Sequence, residues 1–217
     1  MTDDPLAGFG ARAGDGPSLL FVAGPNGAGK STFFAEYLEP LGLPYVNADE
    51  IARRLRAAEP DASRDDVDRR AFREAERLRA ALLEARVSFG TETVFSDPVG
   101  AKLRFLQAAR RRGFATFLIF ICLESAALSI ARVHQRTRQG GHDIPDAKLR
   151  ARFPRTLANL RAAISIVDEA FLFDNSSFDT PYRIVAVYRR GRLVSRHPPM
   201  PPWTRGLPAT PINRSVP

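Results

Sequence analysis

The chain contains almost no cysteine and no long apolar run. Its 217 residues include a single cysteine, Cys122, so a disulfide framework is excluded and a reduced, cytoplasmic setting is favoured. Cys122 lies inside an apolar segment, where we expect it to fill the core rather than to act as a nucleophile. No apolar stretch approaches the ~20 residues that a membrane span needs, and the acidic start at residues 1–4 is unlike a signal peptide. We therefore predict a cytoplasmic protein without a membrane partner.

Lysine is also scarce, although the net charge is +8. It occurs only at positions 30, 102 and 148, so arginine carries most of the positive charge. The arginines are spread through segments of helical period, where many stand beside acidic residues at pair-forming spacing. Nucleic-acid binding by charge needs clustered cations, so this distribution favours a small phosphorylated ligand over a nucleic acid. The three histidines, at 134, 142 and 197, lack a second ligand at a spacing suited to zinc.

Composition divides the chain into three parts. Residues 1–17 are rich in glycine and small residues and are predicted to form a flexible leader. Residues 18–196 have the length and apolar content of one catalytic domain. Residues 197–217 form a tail with seven of the 17 prolines, which excludes a helix or a central strand. Whether this tail is disordered, or lies across the surface with Trp203 as an anchor, stays open at this point.

Within the domain, short apolar segments alternate with segments of helical period. One helix is predicted from about Arg64 to Ala85. The predicted strands are Leu19–Ala23, Tyr45–Asn47, Val87–Phe95, Thr116–Leu123 and Ala170–Phe173. Such alternation indicates an α/β fold with a mostly parallel central sheet flanked by helices. A final pair of segments, at 182–188 and 192–195, predicts a C-terminal edge hairpin.

A phosphate-binding loop follows the first predicted strand. The segment matches G-x-x-x-x-G-K-[ST] without a mismatch, and its binding residues are Gly24, Pro25, Asn26, Gly27, Ala28, Gly29, Lys30, Ser31 and Thr32. Its glycines let backbone N–H groups surround a phosphate, and a helix predicted from Thr32 to Leu38 directs its positive end there. Lys30 is predicted to reach the β- and γ-phosphates and Ser31 to bind Mg²⁺. The motif therefore predicts a P-loop NTPase that uses ATP and Mg²⁺.

Two large classes of P-loop protein are excluded by what the rest of the chain lacks. Transporter ATPases share this loop, but there is no Leu-Ser-Gly-Gly-Gln-like signature and no apolar run that ends in Asp-Glu. Guanine-specific switch proteins need an Asn-Lys-x-Asp element, which is absent from the sequence. A small kinase with a fold of the nucleotide-kinase type remains.

From the loop onward the chain resembles the zeta toxin family, P-loop kinases similar to the UDP-N-acetylglucosamine kinases of bacterial toxin–antitoxin systems. The resemblance rests on the phosphate loop and on residues 46–52, 89–96, 132–145 and 152–160. It implies that the chain is an ATP-dependent kinase, that UDP-N-acetylglucosamine or a related nucleotide-linked sugar is the acceptor, and that a toxin of this kind would have an antitoxin protein as partner.

Two acidic residues are candidates for the acceptor side. Asp49 follows a strand end, where its carboxylate could accept the proton of an attacking hydroxyl, and the resemblance assigns it the same role. The structural alternative is that Asp49 caps the next helix. Glu92 lies in an otherwise apolar, threonine-rich strand and needs a partner if buried. By likeness to related kinases we assign Glu92, with Thr93 beside it, to substrate hydroxyls or to hydrated Mg²⁺; the alternative is a satisfied glutamate on an edge strand.

Several arginines are candidates for a lid over the triphosphate. Arg132 and Arg136 lie on or near one face of a predicted helix that leads into a glycine pair, and planar guanidinium groups suit the charge on a transferring phosphoryl group. We predict both as catalytic contacts to phosphate. Arg152 and Arg155 are further candidates for substrate contacts, and His142 is a candidate loop or substrate contact. For any one arginine, a solvated surface position is the alternative.

Three functional interpretations therefore stand at this point. The first is a kinase for the hydroxyl of a nucleotide-linked sugar. The second is a polynucleotide kinase, or a kinase for nucleotides or dinucleotides, which would account for the basic charge. The third is a regulatory module that binds ATP without turnover and uses its proline-rich tail to bind a partner.

Overall fold

The structure is a computed structural model that describes residues 16–138 and 144–209. In these residues seven strands form one sheet in the order β2-β3-β1-β4-β5-β6-β7. The strands are β1 (Ser18–Ala23), β2 (Tyr45–Val46), β3 (Phe89–Thr93), β4 (Ala115–Cys122), β5 (Glu169–Asp174), β6 (Arg183–Arg189) and β7 (Arg192–Arg196). The first five strands in this order are parallel, and β6 and β7 are antiparallel at one edge. This arrangement confirms the predicted mostly parallel sheet with a C-terminal hairpin.

Helices pack against this sheet. They are α1 (Lys30–Phe33), α2 (Ala48–Ala58), α3 (Arg64–Glu84), α4 (Ala101–Arg111), α5 (Ala126–Arg138) and α6 (Asp146–Ile164). The helix predicted from Thr32 to Leu38 is different in the structure, because α1 passes at Phe34 into a π-helix (Phe34–Leu38) and then into a 3₁₀ turn (Glu39–Leu41). Pro40, which has no N–H to donate, and Gly42, with a φ of 64°, end this segment.

The central strand is buried on both faces, as alternation in a covered parallel sheet requires. Leu19 and Phe21 of β1 point into one apolar cluster, whereas Leu20 and Val22 point into the other. Cys122 is also fully buried, which confirms the prediction that it fills the core. Burial raises the pKa of its thiol, as expected for an inert cysteine.

Chain direction in the sheet determines where the candidate site lies. β1 is flanked by β3 on one side and β4 on the other, so the chain winds outward in both directions from the strand that carries the phosphate loop. The carboxyl ends of the parallel strands share one edge, and a ligand site is expected where the winding reverses. The predicted third strand, Val87–Phe95, is shorter in the structure, since Phe95 takes a φ of 61° and turns the chain away.

The tail packs against the domain as far as it is described. Trp203 lies in a 3₁₀ turn (Pro202–Thr204), is 3% exposed, and has its ring centroid 5.9 Å from that of Phe120. This favours the interpretation that Trp203 anchors residues 197–209 to the surface of the domain. The prediction that the tail contains no helix did not include the one-turn 3₁₀ segment. Most of the predicted leader and residues 210–217 fall outside the described residues. None of the helices in residues 16–138 and 144–209 has the length and apolar character to cross a membrane.

Candidate active site

The phosphate loop takes a shape that only glycine permits at two of its positions. Gly24 has a φ of 148°, and a Cβ there would lie 1.9 Å from the carbonyl oxygen of Ile121. Gly29 has a φ of 88°, and a Cβ there would lie 2.7 Å from Nδ2 of Asn175. The motif glycines therefore let the loop pack closely against β4 and against the segment after β5. This backbone shape is the one that surrounds a phosphate with N–H groups.

Lys30 is a buried cation at the start of α1. Its side chain is 7% exposed, its Nζ donates a hydrogen bond to the carbonyl oxygen of Pro25 at 3.0 Å, and Glu92 Oε1 lies 3.9 Å away. Burial lowers the pKa of Lys30, while the charges of Glu92 and Asp49 act in the opposite direction. A buried ammonium group that only partly finds charge compensation fits a loop built to receive an anion.

Glu92 accepts hydrogen bonds from the hydroxyl and amide donors around it. Its carboxylate accepts hydrogen bonds from Ser31 Oγ at 3.1 Å, Asn47 Nδ2 at 3.1 Å and Tyr45 OH at 3.4 Å. The side chain is 8% exposed, and burial raises the pKa of Glu92 although Lys30 and Ser31 lower it. The alternative of an edge-strand glutamate is wrong, because β3 lies between β2 and β1. A hydroxyl beside a carboxylate supplies the oxygen ligands that Mg²⁺ prefers, so Ser31 and Glu92 fit the ion.

Asp49 lies in the first turn of α2, but it does not cap that helix. The N-cap is Asn47, whose side chain accepts a hydrogen bond from the backbone N–H of Asp49 at 2.9 Å. The capping alternative for Asp49 is therefore wrong: the cap side chain comes from two residues earlier. The Asp49 carboxylate is exposed to the cleft next to the loop, which leaves it free to meet an acceptor.

A cleft of about 790 Å³ opens beside the phosphate loop. It brings together most of the residues that sequence reasoning selected, and its walls include Asn26, Gly27, Gly29, Lys30, Ser31, Thr32, Asp49, Glu92, Thr93, Arg132, Arg136, Arg152 and Arg155. Arg152 also reaches the loop, with its NH1 3.5 Å from Oδ1 of Asn26. His142 lies outside the described residues, so its predicted contact stays a prediction.

A second, smaller pocket of about 410 Å³ also borders the loop, at Gly29 and Thr32. We call it the side pocket, and its lining residues are Gly29, Thr32, Glu36, Arg132, Gln135, Arg136, Asn175, Ser177, Phe178, Pro181 and Tyr182. Arg132 and Arg136 line both cavities, so the two predicted lid arginines lie at the boundary between them.

Arg132 is held in place by the segment after β5. Its NH2 donates to the carbonyl oxygen of Ser176 at 3.3 Å, and its guanidinium carbon lies 4.9 Å from the ring centroid of Phe178. Burial lowers the pKa of Arg132, with the charges of Tyr182 and Asp174 opposing the shift. Its Nε is buried without a hydrogen-bond partner in the described part of the chain. A donor in that state suits an incoming phosphate oxygen.

Sequence reasoning missed Arg79, which lines the cleft and makes hydrogen bonds to β3. Arg79 is 4% exposed and donates from Nε to Thr91 Oγ1 at 2.7 Å, from NH1 to Glu76 at 2.6 Å, and from NH2 to the carbonyl oxygen of Glu92 at 3.2 Å. It therefore fixes the end of β3 that carries Glu92. A signal was present, because the buried positions 67, 71, 75, 79 and 83 of α3 recur every four residues and place one arginine in an otherwise apolar series.

Asn175 and Tyr182 were missed as well, and they support the loop from the side pocket. Asn175 Nδ2 donates to the carbonyl oxygen of Ala28 at 2.9 Å, and its Oδ1 accepts from the backbone N–H of Tyr182 at 3.2 Å. The Tyr182 hydroxyl donates to the carbonyl oxygen of Gly29 at 2.9 Å. Tyr182 takes a φ of 50°, a strained value for a residue other than glycine. No local pattern signals the two contacts to the loop, because they join residues about 150 positions apart.

The chain is similar to several known proteins. A model of the AAA domain family matches residues 19–155. A relative from Haemophilus influenzae, described as an uncharacterized protein, is 25% identical over 134 residues, which is 62% of this chain and 91% of that protein. A chain from the PezAT chromosomal toxin–antitoxin system of Streptococcus pneumoniae aligns with a TM-score of 0.60 and 16% identity, over 86% of this chain and 81% of that one.

A second similar structure is the AvrRxo1-ORF1:-ORF2 complex with ATP. It aligns with a TM-score of 0.59 and 19% identity, over 83% of this chain and 61% of the matched chain. Identities this low establish the fold alone. The fold is that of a P-loop kinase, with the phosphate loop at the carboxyl end of the central parallel strand.

Proposed function

The chain belongs to the AAA domain family, and from this premise we propose that it is a kinase that transfers the γ-phosphoryl group of ATP to a hydroxyl of a small nucleotide-linked sugar. One observation carries the proposal. The loop with its buried Lys30 opens into a cleft of about 790 Å³, and the exposed carboxylate of Asp49 lines the same cleft. The cleft has room for an acceptor beside the phosphate loop, with a candidate base within it.

The chemistry would consist mainly of positioning and charge neutralisation. The acceptor oxygen forms a bond to the γ-phosphorus, the bond from this phosphorus to the bridging oxygen of ADP breaks, and the acceptor proton passes to the carboxylate of Asp49. Lys30, Arg132 and Arg136 would stabilise the charge on the transferring group. Ser31 and Glu92 would hold Mg²⁺, which supplies further charge neutralisation at the phosphates when bound.

The acceptor is proposed from two sources. The resemblance to the zeta toxin family suggests UDP-N-acetylglucosamine, and the cleft supports a phosphorylated acceptor because Arg152 and Arg155 add positive charge to its wall. We also propose Glu92, Thr93 and His142 as contacts of the acceptor. We further propose an antitoxin protein as partner, since one similar structure comes from a toxin–antitoxin system, and a cytoplasmic location, since the single cysteine is buried and free.

Transfer of label from γ-labelled ATP to a panel of nucleotide sugars, nucleotides and oligonucleotides tests the proposal. We expect a labelled nucleotide sugar with the wild-type chain, and no product with Lys30→Ala or Asp49→Ala. Glu50→Ala is the matched control, because the side chain of Glu50 pairs with Arg53 and Arg54 instead of lining the cleft. Label in oligonucleotide alone would support the polynucleotide kinase. ATP binding with no transfer to any acceptor would support the regulatory module.

A further inference from the structure

The segment formed by the last residue of β5 and the two residues after it makes hydrogen bonds to the phosphate loop and to Arg132. We call Asp174, Asn175 and Ser176 the exit segment. Asn175 bonds the carbonyl oxygen of Ala28 in the loop, and the carbonyl oxygen of Ser176 accepts from Arg132. Asp174 reaches neither group directly, but its Oδ1 accepts a hydrogen bond from Ser176 Oγ at 2.8 Å. The exit segment therefore determines where two parts of the nucleotide site lie.

The carboxylate of Asp174 is in turn held by the tail. We call residues 197–208 the strap. The indole Nε1 of Trp203 donates to Asp174 Oδ1 at 3.1 Å, inside the fold, where Trp203 is 3% and Asp174 is 9% exposed. Oδ1 thus accepts from the strap and from Ser176 at the same time. A buried carboxylate is stabilised only by such donors, so each of them limits how the side chain can rotate.

Arg183 joins the strap to the same carboxylate from the other side. Its NH1 donates to the carbonyl oxygen of His197 at 3.1 Å and its NH2 to that of Pro199 at 2.8 Å. The NH2 group also lies 3.8 Å from Asp174 Oδ2. Both oxygens of Asp174 therefore face groups that belong to the strap or bind it.

We infer that the strap is a positioning element of the nucleotide site, with Trp203 as its positioning residue. Trp203 fixes the carboxylate of Asp174, Asp174 orients Ser176, and Ser176 holds the guanidinium group of Arg132 beside the phosphate loop. The inference rests on the proposed function in so far as it takes ATP to be the ligand of the loop. The exit segment and the strap both lie outside residues 19–155, so the family match does not account for this connection.

Trp203→Phe in the full chain tests the inference, because phenylalanine keeps an aromatic ring against Phe120 and removes only the N–H donor. We expect the Kd for ATP, measured by isothermal titration calorimetry, to rise about three- to tenfold, less than the full effect of a hydrogen bond to a charged group because Trp203 acts on the site only through Asp174 and Ser176. The KM for ATP should rise in parallel and kcat should also fall, because Arg132 contacts the transferring group, whereas the KM for the acceptor should stay unchanged.

Tyr188→Phe is the matched control. The Tyr188 hydroxyl donates to the carbonyl oxygen of Pro208 at 2.9 Å, so this change also removes one tether of the strap, but one that does not touch Asp174. ATP affinity should stay at the wild-type value in this variant. Equal losses of ATP affinity in Trp203→Phe and Tyr188→Phe would overturn the inference, because the strap would then act on stability in general.

Ser176→Ala keeps the test decisive if Trp203→Phe fails to fold, because Ser176 is only half-buried. Its Oγ also accepts a hydrogen bond from the backbone N–H of Glu124 at 2.7 Å, which this change removes together with the bond to Asp174. We expect this change to weaken ATP binding, and the double variant to be little weaker than either single one, since both act along one chain of contacts. Unchanged ATP affinity in Ser176→Ala, or fully additive losses, would overturn the inference. Failure of the wild-type chain itself to bind ATP would instead overturn the proposed function, and this inference with it.

Discussion

The two cavities that border the phosphate loop are built from different kinds of interaction. In the cleft, charged groups compensate one another: Lys30 with Glu92, and Arg79 with Glu76. In the side pocket, neutral hydrogen bonds from Asn175 and Tyr182 hold the loop. Aromatic packing reinforces these bonds, with the ring centroids of Tyr182 and Phe33 5.1 Å apart.

This difference matches what each side would have to do. Transfer of a phosphoryl group develops charge, and charged groups act most strongly where burial removes them from water. A loop can be held in shape by directional contacts that carry no charge. Neutral hydrogen bonds are such contacts, and their groups cost less to desolvate than charged groups. We therefore expect changes in the cleft to alter rate or pH dependence, and changes at Asn175 and Tyr182 of the side pocket to alter ATP affinity alone.

The largest effect is expected for Lys30→Ala, since Lys30 lies on the loop that both cavities share. Loss of the buried ammonium group should lower kcat/KM by about 10³-fold or more, because no other cation in the loop could replace its charge at the transferring group. Steady-state phosphoryl transfer measures this. Lys148→Ala removes an exposed lysine at the cleft wall and should change kcat/KM by less than about threefold. Comparable losses of kcat/KM in both variants would show that any positive charge at the cleft has this effect, and would contradict a specific role of Lys30 in the loop.

Asp49→Asn should distinguish the functions of the two cavities most clearly. It removes the base from the cleft and leaves the side pocket intact, so kcat should fall about 10²-fold while the Kd for ATP stays unchanged. Single-turnover transfer and calorimetric titration with ATP give the two quantities. Glu50→Gln, one residue further along the same helical turn, should leave both at the wild-type value. A rise in the Kd for ATP as large as the fall in kcat would contradict the division between the cavities.

Glu76→Gln tests whether charge compensation also holds the cleft together. Glu76 Oε1 accepts hydrogen bonds from Arg79 and Lys102. Burial acts to raise the pKa of Glu76, but the hydrogen bond from Lys102 and the charges of Lys102 and Arg79 outweigh it, so the pKa lies below the ordinary value. A lowered pKa means stability that is present above the ordinary glutamate pKa and lost as the pH falls through the folded value.

We therefore expect Glu76→Gln to lower the free energy of unfolding by about 1–2 kcal/mol at pH 7, less than for a fully buried pair because the Glu76 carboxylate is 43% exposed. The difference from the wild type should shrink as the pH falls below about 4. Urea unfolding at both pH values measures it. Glu74→Gln, which removes an exposed pair with Arg77, is the control and should change stability little at either pH. A difference that is independent of pH would exclude the charge as its cause.

Tyr182→Phe should give the smallest effect and sharpen the description of the side pocket. It removes the hydrogen bond to the carbonyl oxygen of Gly29 and keeps the ring packed on Phe33, so the Kd for ATP should rise about two- to fivefold. The value of kcat at saturating ATP should not change. Titration of ATP into the variant, and a rate measurement at saturating ATP, check both statements. A reduced kcat with normal ATP affinity would place Tyr182 functionally in the cleft.

Local sequence predicted much of the candidate site. The loop motif indicated residues 24–32, and strand-end reasoning selected Asp49. Glu92 was selected as a carboxylate in an apolar strand and by likeness to related kinases, and both acidic residues line the cleft. The parallel sheet with its edge hairpin was also predicted, because alternating apolar segments and helical stripes depend on neighbours within about ten positions. The capping alternative for Asp49 was wrong, because Asn47 is also a good cap and holds the N-cap position of α2.

By itself, then, the sequence determined the phosphate loop, the class of fold and the choice of Asp49 and Glu92 as candidates, since each follows from residue types within short segments of the chain. Only the tertiary structure decided that Arg79 supports β3, that Asn175 and Tyr182 support the loop, and that Trp203 reaches Asp174. These contacts join residues between 13 and 153 positions apart in the chain. Long-range hydrogen bonds depend on how strands and tail pack, and no local pattern of residues encodes that packing.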